Sequence, residues 1–220
     1  SPFLNQMAMF LVQITLNNTL TYYGALSHYG EDIPLACVGV LSKVNILMLG
    51  FTLGISQGCQ PIFSYNYGAR QYSRVREAYR KAIVAASVIC CIAFVCFQLF
   101  PRPIVALFDP SGSEEYFQFA ERYFRIYMFM TLANAFQPIT ANFFTSIGKA
   151  KRGALIALTR QVIFLIPLIL IFPLFLGIDG VMYAGPIADS AAVVVALALV
   201  TREMKRMPPV DEPVAADTPV

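Results

Sequence analysis

Charged side chains are missing from six long stretches of the chain, residues 1–30, 44–69, 82–101, 126–148, 161–178 and 190–201. Such stretches leave too little polar surface for soluble domains. A helix that crosses a bilayer needs roughly 20 mostly apolar residues, with a range of about 17–25. The pattern therefore predicts six helices, at 4–24, 33–64, 83–100, 120–147, 154–176 and 181–201. Glycine or proline marks most junctions, at Gly30, Pro34, Gly68, Pro101, Pro103, Pro110, Gly148, Gly153, Gly177 and Gly180, where turn geometry favours them. The expected fold class is an all-α membrane protein, with one six-helix bundle over residues 1–206. A proline-rich acidic tail, MPPVDEPVAADTPV, fills residues 207–220 and is expected to be disordered.

Composition agrees with this pattern. The 220 residues are 57% hydrophobic and 13% charged, where a soluble domain carries about 25% charged residues. The chain opens SPFLNQMAMF, without an initiating Met or a basic region ahead of the apolar run. It reads as part of a longer protein rather than as a signal peptide. Five cysteines, Cys37, Cys59, Cys90, Cys91 and Cys96, lie inside apolar segments without C-x-x-C spacing, so they are expected to be small hydrophobes. His28 is expected to be loop surface. Zinc-protease, hydrolase and nucleotide-binding signatures are all missing, which argues against an enzyme and calls for no cofactor and no nucleic acid partner.

The connections alternate in charge. Arg70, Arg74, Arg76, Arg80 and Lys81 follow the second helix, Lys149, Lys151 and Arg152 follow the fourth, and Arg202, Lys205 and Arg206 follow the sixth. The other loops hold Glu31, Asp32, Asp109, Glu114, Glu115 and Asp179, with Arg102 as the counted basic residue. Lysine and arginine gather on the cytoplasmic side of membranes. A multi-pass protein of the plasma (inner) membrane is expected, with both chain ends cytoplasmic. The segment SRVREAYRKA is expected to form a short interfacial helix.

Polar residues inside the spans are costly and so point to packing or to function. Gln6, Gln13 and Asn17 fall within about 40° of one another around the first helix. Asn134, Gln137 and Ala141 repeat the pattern in the fourth, with Asn142 alongside. Two such stripes favour a polar cavity over hydrogen bonds between helices alone. Lys43 and Asp189 lie at matching depths of roughly 12–15 Å, and are expected to pair or to share a water-filled cleft. Arg160 is expected to reach up to the headgroups. The glycines Gly39, Gly50, Gly54 and Gly58 suit close helix packing.

The run GISQGCQPIFSYNYGARQYSRV, from Gly54 to Val75, resembles the multidrug and toxic compound extrusion (MATE) family of secondary transporters. The residues that carry the likeness are Gly54, Gln57, Gly58, Gln60, Pro61, Ile62, Tyr65, Asn66, Tyr67, Gly68, Ala69, Arg74 and Val75. Weaker echoes are Gln137-Pro138-Ile139, Gly148-Lys149-Ala150-Lys151 and Pro186-Ile187-Ala188-Asp189. The resemblance implies a twelve-helix, pseudo-symmetric transporter of which this chain is the C-terminal six-helix half. It implies an antiporter that exports cationic or amphipathic small molecules in exchange for sodium ions or protons. The other six-helix half and the bilayer would be its partners. Some members couple ions through carboxylates in the second bundle, whereas this chain offers Gln13, Asn17, Asn134 and Gln137. The coupling ion is thus expected mainly in the missing N-terminal half.

On this reading Gln13, Asn17, Lys43, Asn45, Asn134, Gln137 and Asp189 are cavity candidates. Gln60 and Pro61 are candidate hinge residues, because a proline inside a helix removes a donor and frees a carbonyl. Two alternatives stay open: a lipid or oligosaccharide-lipid flippase of similar architecture, and a membrane scaffold subunit that does not transport.

Overall fold

The structure, a computed structural model, describes residues 2–209 and Asp211, except for the side chains of Pro2 and Asn134. Among the described residues all regular structure is helical. The helices are α1 (Pro2–Ala25), α2 (Asp32–Gly68), α3 (Tyr72–Leu99), α4 (Pro101–Phe108), α5 (Glu114–Tyr127), α6 (Ala133–Ser146), α7 (Ala150–Leu158), α8 (Ile166–Leu176) and α9 (Ile178–Arg206). A 3₁₀ turn, Met128–Met130, stands between α5 and α6, and a π-helical stretch, Thr159–Leu165, joins α7 to α8.

Four stretches are long and apolar enough to cross a membrane: α2, α3, the continuous rod of residues 150–176, and α9. The other two expected spans fall on α1, which is interrupted by glutamine and asparagine, and on the rod of α5 and α6, which is broken in the middle. Large apolar side chains cover the outside of the bundle, among them Phe51, Val88, Ile92, Leu174 and Phe175. Their extent exceeds the apolar patches that soluble monomers expose and suits hydrocarbon.

Helix boundaries depart from the expected ones where nothing in the chain stops a helix. No glycine or proline occurs between Tyr72 and Leu99, so SRVREAYRKA forms the first turns of α3 instead of a separate interfacial helix. Val75 and Tyr79 anchor those turns in the core. α2 likewise runs unbroken through Gln60 and Pro61. α5 begins at Glu114, capped by Ser113, whose hydroxyl accepts from the Tyr116 amide at 3.2 Å. Glu121, Arg122 and Arg125 therefore belong to the same end of the bundle as the acidic loops, where Arg122 pairs with Asp179 and Arg102 with Glu114 and Glu121. Basic residues are thus less one-sided than the loop count suggests.

The core is built where α2, α3 and α6 meet. Phe63, Tyr79, Phe143 and Phe144 interlock there with rings 5.1–6.4 Å apart. Polar side chains tie α2 to α6: the Ser56 hydroxyl donates to the Pro138 carbonyl at 3.3 Å, the Asn142 amide to the Ser56 carbonyl at 2.6 Å, and the Ser64 hydroxyl to the Ser146 carbonyl at 3.0 Å. α6 and α7 approach so closely at Gly153 that an added Cβ would stand 2.6 Å from the Ala141 carbonyl oxygen. Gly177, at φ +62°, makes the turn between α8 and α9.

At the end of the bundle that carries the basic loops, Glu203 is 1% exposed and is held by both Lys149 and Arg152. Arg76 caps the end of α9 through the carbonyls of Met207 and Pro208. The Ser73 amide and hydroxyl donate to Asp211, which holds that carboxyl below its usual range. Apart from these contacts of residues 207, 208 and 211, most of the tail lies outside the described residues.

Candidate functional site

The two helical irregularities meet at one place. α5 gives way to a 3₁₀ turn at Met128, and the Thr131 hydroxyl bonds back to the Met128 carbonyl, an arrangement in which a side chain competes with the helix for its own backbone. On the facing rod the π-helical stretch ends where Pro167, which has no amide hydrogen, occupies the first turn of α8. Mid-helix 3₁₀ turns often mark functional hinges, and π-helical segments frequently sit at functional sites. Between the two irregularities lies a crevice of about 10 Å³, lined by Asn45, Tyr127, Met128, Thr131, Arg160 and Asp189. This is about the room that a single water requires.

Arg160 and Asp189 form an ion pair at this crevice, with side chains 14% and 8% exposed. A buried pair of this kind is sustained only when its charges compensate each other closely. Its partners differ from those expected. Asp189 binds Arg160 rather than Lys43, and Arg160 turns into the bundle rather than up to the headgroups. The reason is the hairpin at Gly177. Counting from it, Arg160 lies about 25 Å along its rod and Asp189 about 18 Å along α9, and a flexible arginine stem spans the difference. Matching helix depth alone does not say which face of α2 is covered: Lys43 points out of the bundle and makes no ion pair among the described residues.

Tyr127 completes the site. Its ring stacks on Tyr123 at 5.5 Å and 17°, and it rests against Gly185, where an added Cβ would come within 2.5 Å of the ring. α9 can approach α5 only because residue 185 has no side chain. Neither Tyr127 nor Gly185 stood out in the sequence, since an isolated tyrosine and glycine in apolar runs carry no periodic signal.

The other candidates are spread over the bundle. Gln13 donates to Asn17 at 3.0 Å along one face of α1. Gln6 and Gln13 are exposed and Asn17 half-buried, while Ala8, Val12, Leu16 and Leu20 turn inward. Gln137 is buried and donates to the Ile156 carbonyl at 3.2 Å, bridging α6 to α7. The side chain of Asn134 lies outside the described residues. Asn45 lines the crevice beside Arg160 and Asp189. Gln60 and Pro61 are exposed on α2. The glycines Gly39, Gly50, Gly54 and Gly58 have no neighbour within 4 Å of a built Cβ, so the close packing expected of them does not occur within the described residues.

Known proteins place this architecture. The chain is 24% identical over 200 residues to the multidrug export protein MepA of Staphylococcus aureus (strain bovine RF122 / ET3-1), covering 90% of this chain and 42% of that protein. The corresponding Staphylococcus haemolyticus (strain JCSC1435) protein is also 24% identical, over 90% of this chain and 41% of its own length. Among solved structures, an outward-facing multidrug resistance MATE family transporter of the MOP superfamily superposes with a TM-score of 0.83 at 20% identity, over 93% of this chain and 44% of that one. The MATE multidrug transporter DinF-BH gives 0.78 at 31% identity, over 92% and 44%. The chain thus spans under half the length of the relatives it matches, which are transporters and not enzymes. The sequence pattern of the MatE family matches residues 6–171, and the chain belongs to that family.

Proposed function

We propose that this chain is the C-terminal half of a secondary active exporter, which expels cationic or amphipathic small molecules in exchange for sodium ions or protons. The observation that carries this reading is a pair of glutamines on the open face of α1. Gln6 and Gln13 stand exposed there among Phe3, Met7, Met9 and Phe10, while Ala8, Val12, Leu16 and Leu20 pack into the bundle. Polar groups facing hydrocarbon are costly, so this mixed face suits a cavity for amphipathic molecules, closed by a second six-helix half. Gln13 and Asn17 would line that cavity and meet the substrate through hydrogen bonds.

The uncovered face of α2, with Lys43, Gly50, Gly54, Gln57 and Pro61, supports contact with the same second half, because small residues allow close helix approach. Lys43 disfavours a cation bound beside it, and the coupling ion is assigned mainly to the other half. Both chain ends lie on the cytoplasmic side, in accord with the basic residues around Arg76, Lys149 and Arg206. Alternating access would be a rocking of one half against the other, with Gln60 and Pro61 near the cytoplasmic end of α2 as the candidate hinge.

Reconstitution of the full-length protein into liposomes tests this. A fluorescent organic cation should leave its side of the membrane when a sodium or proton gradient is imposed. The double variant Gln13→Leu, Asn17→Leu should lose most of that flux while unfolding at the wild-type temperature. Undiminished flux in the double variant would remove α1 from the cavity, and no gradient-driven flux at all would remove the exporter reading.

A further inference from the structure

Two deeply buried phenols have no hydrogen-bond partner among the described residues: the hydroxyls of Tyr116 and Tyr123, in residues 4% and 1% exposed. Such groups are uncommon in folded proteins, and where their surroundings are polar an ordered water ordinarily satisfies them. Elsewhere in the bundle the rule is kept, since Tyr79 shares a hydrogen bond with Thr140 at 2.7 Å. The unmet hydroxyls both belong to α5.

Their surroundings mix aromatic rings, Phe117 and Phe119, with polar groups. Asp109, at the end of α4, lies within electrostatic reach of Tyr116 and of Cys37 on α2. The Cys37 thiol donates to the Tyr116 carbonyl at 3.7 Å and also lies within reach of Tyr123. Tyr123 stacks on Tyr127, and Tyr127 lines the crevice of Arg160 and Asp189.

We infer that ordered water, held by the Tyr116 and Tyr123 hydroxyls, connects the Arg160–Asp189 pair to the aqueous phase at the Asp109 end of the bundle. The titratable groups that face Asp189 are Arg160, from the π-helical stretch, and Tyr127, from α5. The neighbouring α1, α6 and α8 carry no acidic or basic residue. The inlet is a property of this half alone and stands whether or not the whole protein exports drugs.

Radiolytic hydroxyl labelling of the full-length protein in micelles tests the inlet, because the radical is generated from water lying beside the side chain that it modifies. Tyr123 and Tyr116 should label several-fold faster than Tyr79, a tyrosine of comparable burial with a protein partner. In Tyr123→Phe, labelling of Met128 at the crevice should fall several-fold, with Tyr79 unchanged. Labelling of Tyr116 and Tyr123 no faster than that of Tyr79 would mean a dry helix interface and overturn the inference. So would undiminished labelling of Met128 in Tyr123→Phe, since water would then reach the pair by another route.

Discussion

Removing either partner of the Arg160–Asp189 pair leaves the other as an unpaired charge in the middle of the bundle. Asp189 is 5% exposed, and loss of one member of a buried pair costs about 3–5 kcal/mol. Asp189→Leu and Arg160→Met should each destabilise by that amount, read as a fall in the temperature at which this half unfolds. The double variant should recover to within about 1 kcal/mol of wild type, because apolar residues of similar volume replace a buried pair at little cost. Lys43→Met removes no partner of Asp189 and should not reproduce that loss. Thermal unfolding of the purified full-length protein in one detergent, followed by a thiol-reactive dye on the buried cysteines of this half, gives all four values. Additive losses in the double variant would refute the pairing. A loss at Lys43 matching that at Arg160, with recovery in Lys43→Met, Asp189→Leu, would restore the pairing expected from helix depth.

Further outcomes follow from local geometry. Gly153→Ala should destabilise by about 1–3 kcal/mol, as overpacking does, because its Cβ meets backbone 2.6 Å away. Gly54→Ala, with nothing within 4 Å, should leave this half as stable or more so, by up to about 1 kcal/mol, yet weaken its association with the other half in a pull-down of separately expressed halves. Glu203→Gln should lower stability by about 1–3 kcal/mol, the scale for lost bonds to a charged group, since Lys149 and Arg152 lose a shared buried partner. The Arg102 guanidinium holds the Glu114 carboxyl below its usual range. Its contribution to stability is therefore complete above the unfolded carboxylate value of about 4.3 and fades as pH falls through the lower folded value. Acid unfolding of Glu114→Gln should lack that component.

Helical class, the positions of most helix ends and the general placement of polar residues were legible in the chain. Runs without charge set where helices could lie, and unbroken runs such as Tyr72–Leu99 set how far they could extend. The stripe of Gln6, Gln13 and Asn17 was visible because helical periodicity is a local property, with neighbours three and four residues apart sharing a face. The candidate site was only half legible. Asp189 stood out as an acid in an apolar run, but its partner did not, because two residues at compatible depths pair only if their helices turn those faces together.

That choice belonged to the tertiary structure. Gly185 admits the Tyr127 ring, Gly153 lets α7 lie against α6, and the π-helical stretch carries Arg160 toward α9 and away from the lipid. Each depends on contacts between segments far apart in sequence, which no local pattern encodes. The same holds for α2, where glycines suited to packing are left open and Lys43 is turned outward. Sequence periodicity determines which residues share a face of a helix; only the packing of whole helices, driven by the fit of their side chains, decides what that face meets.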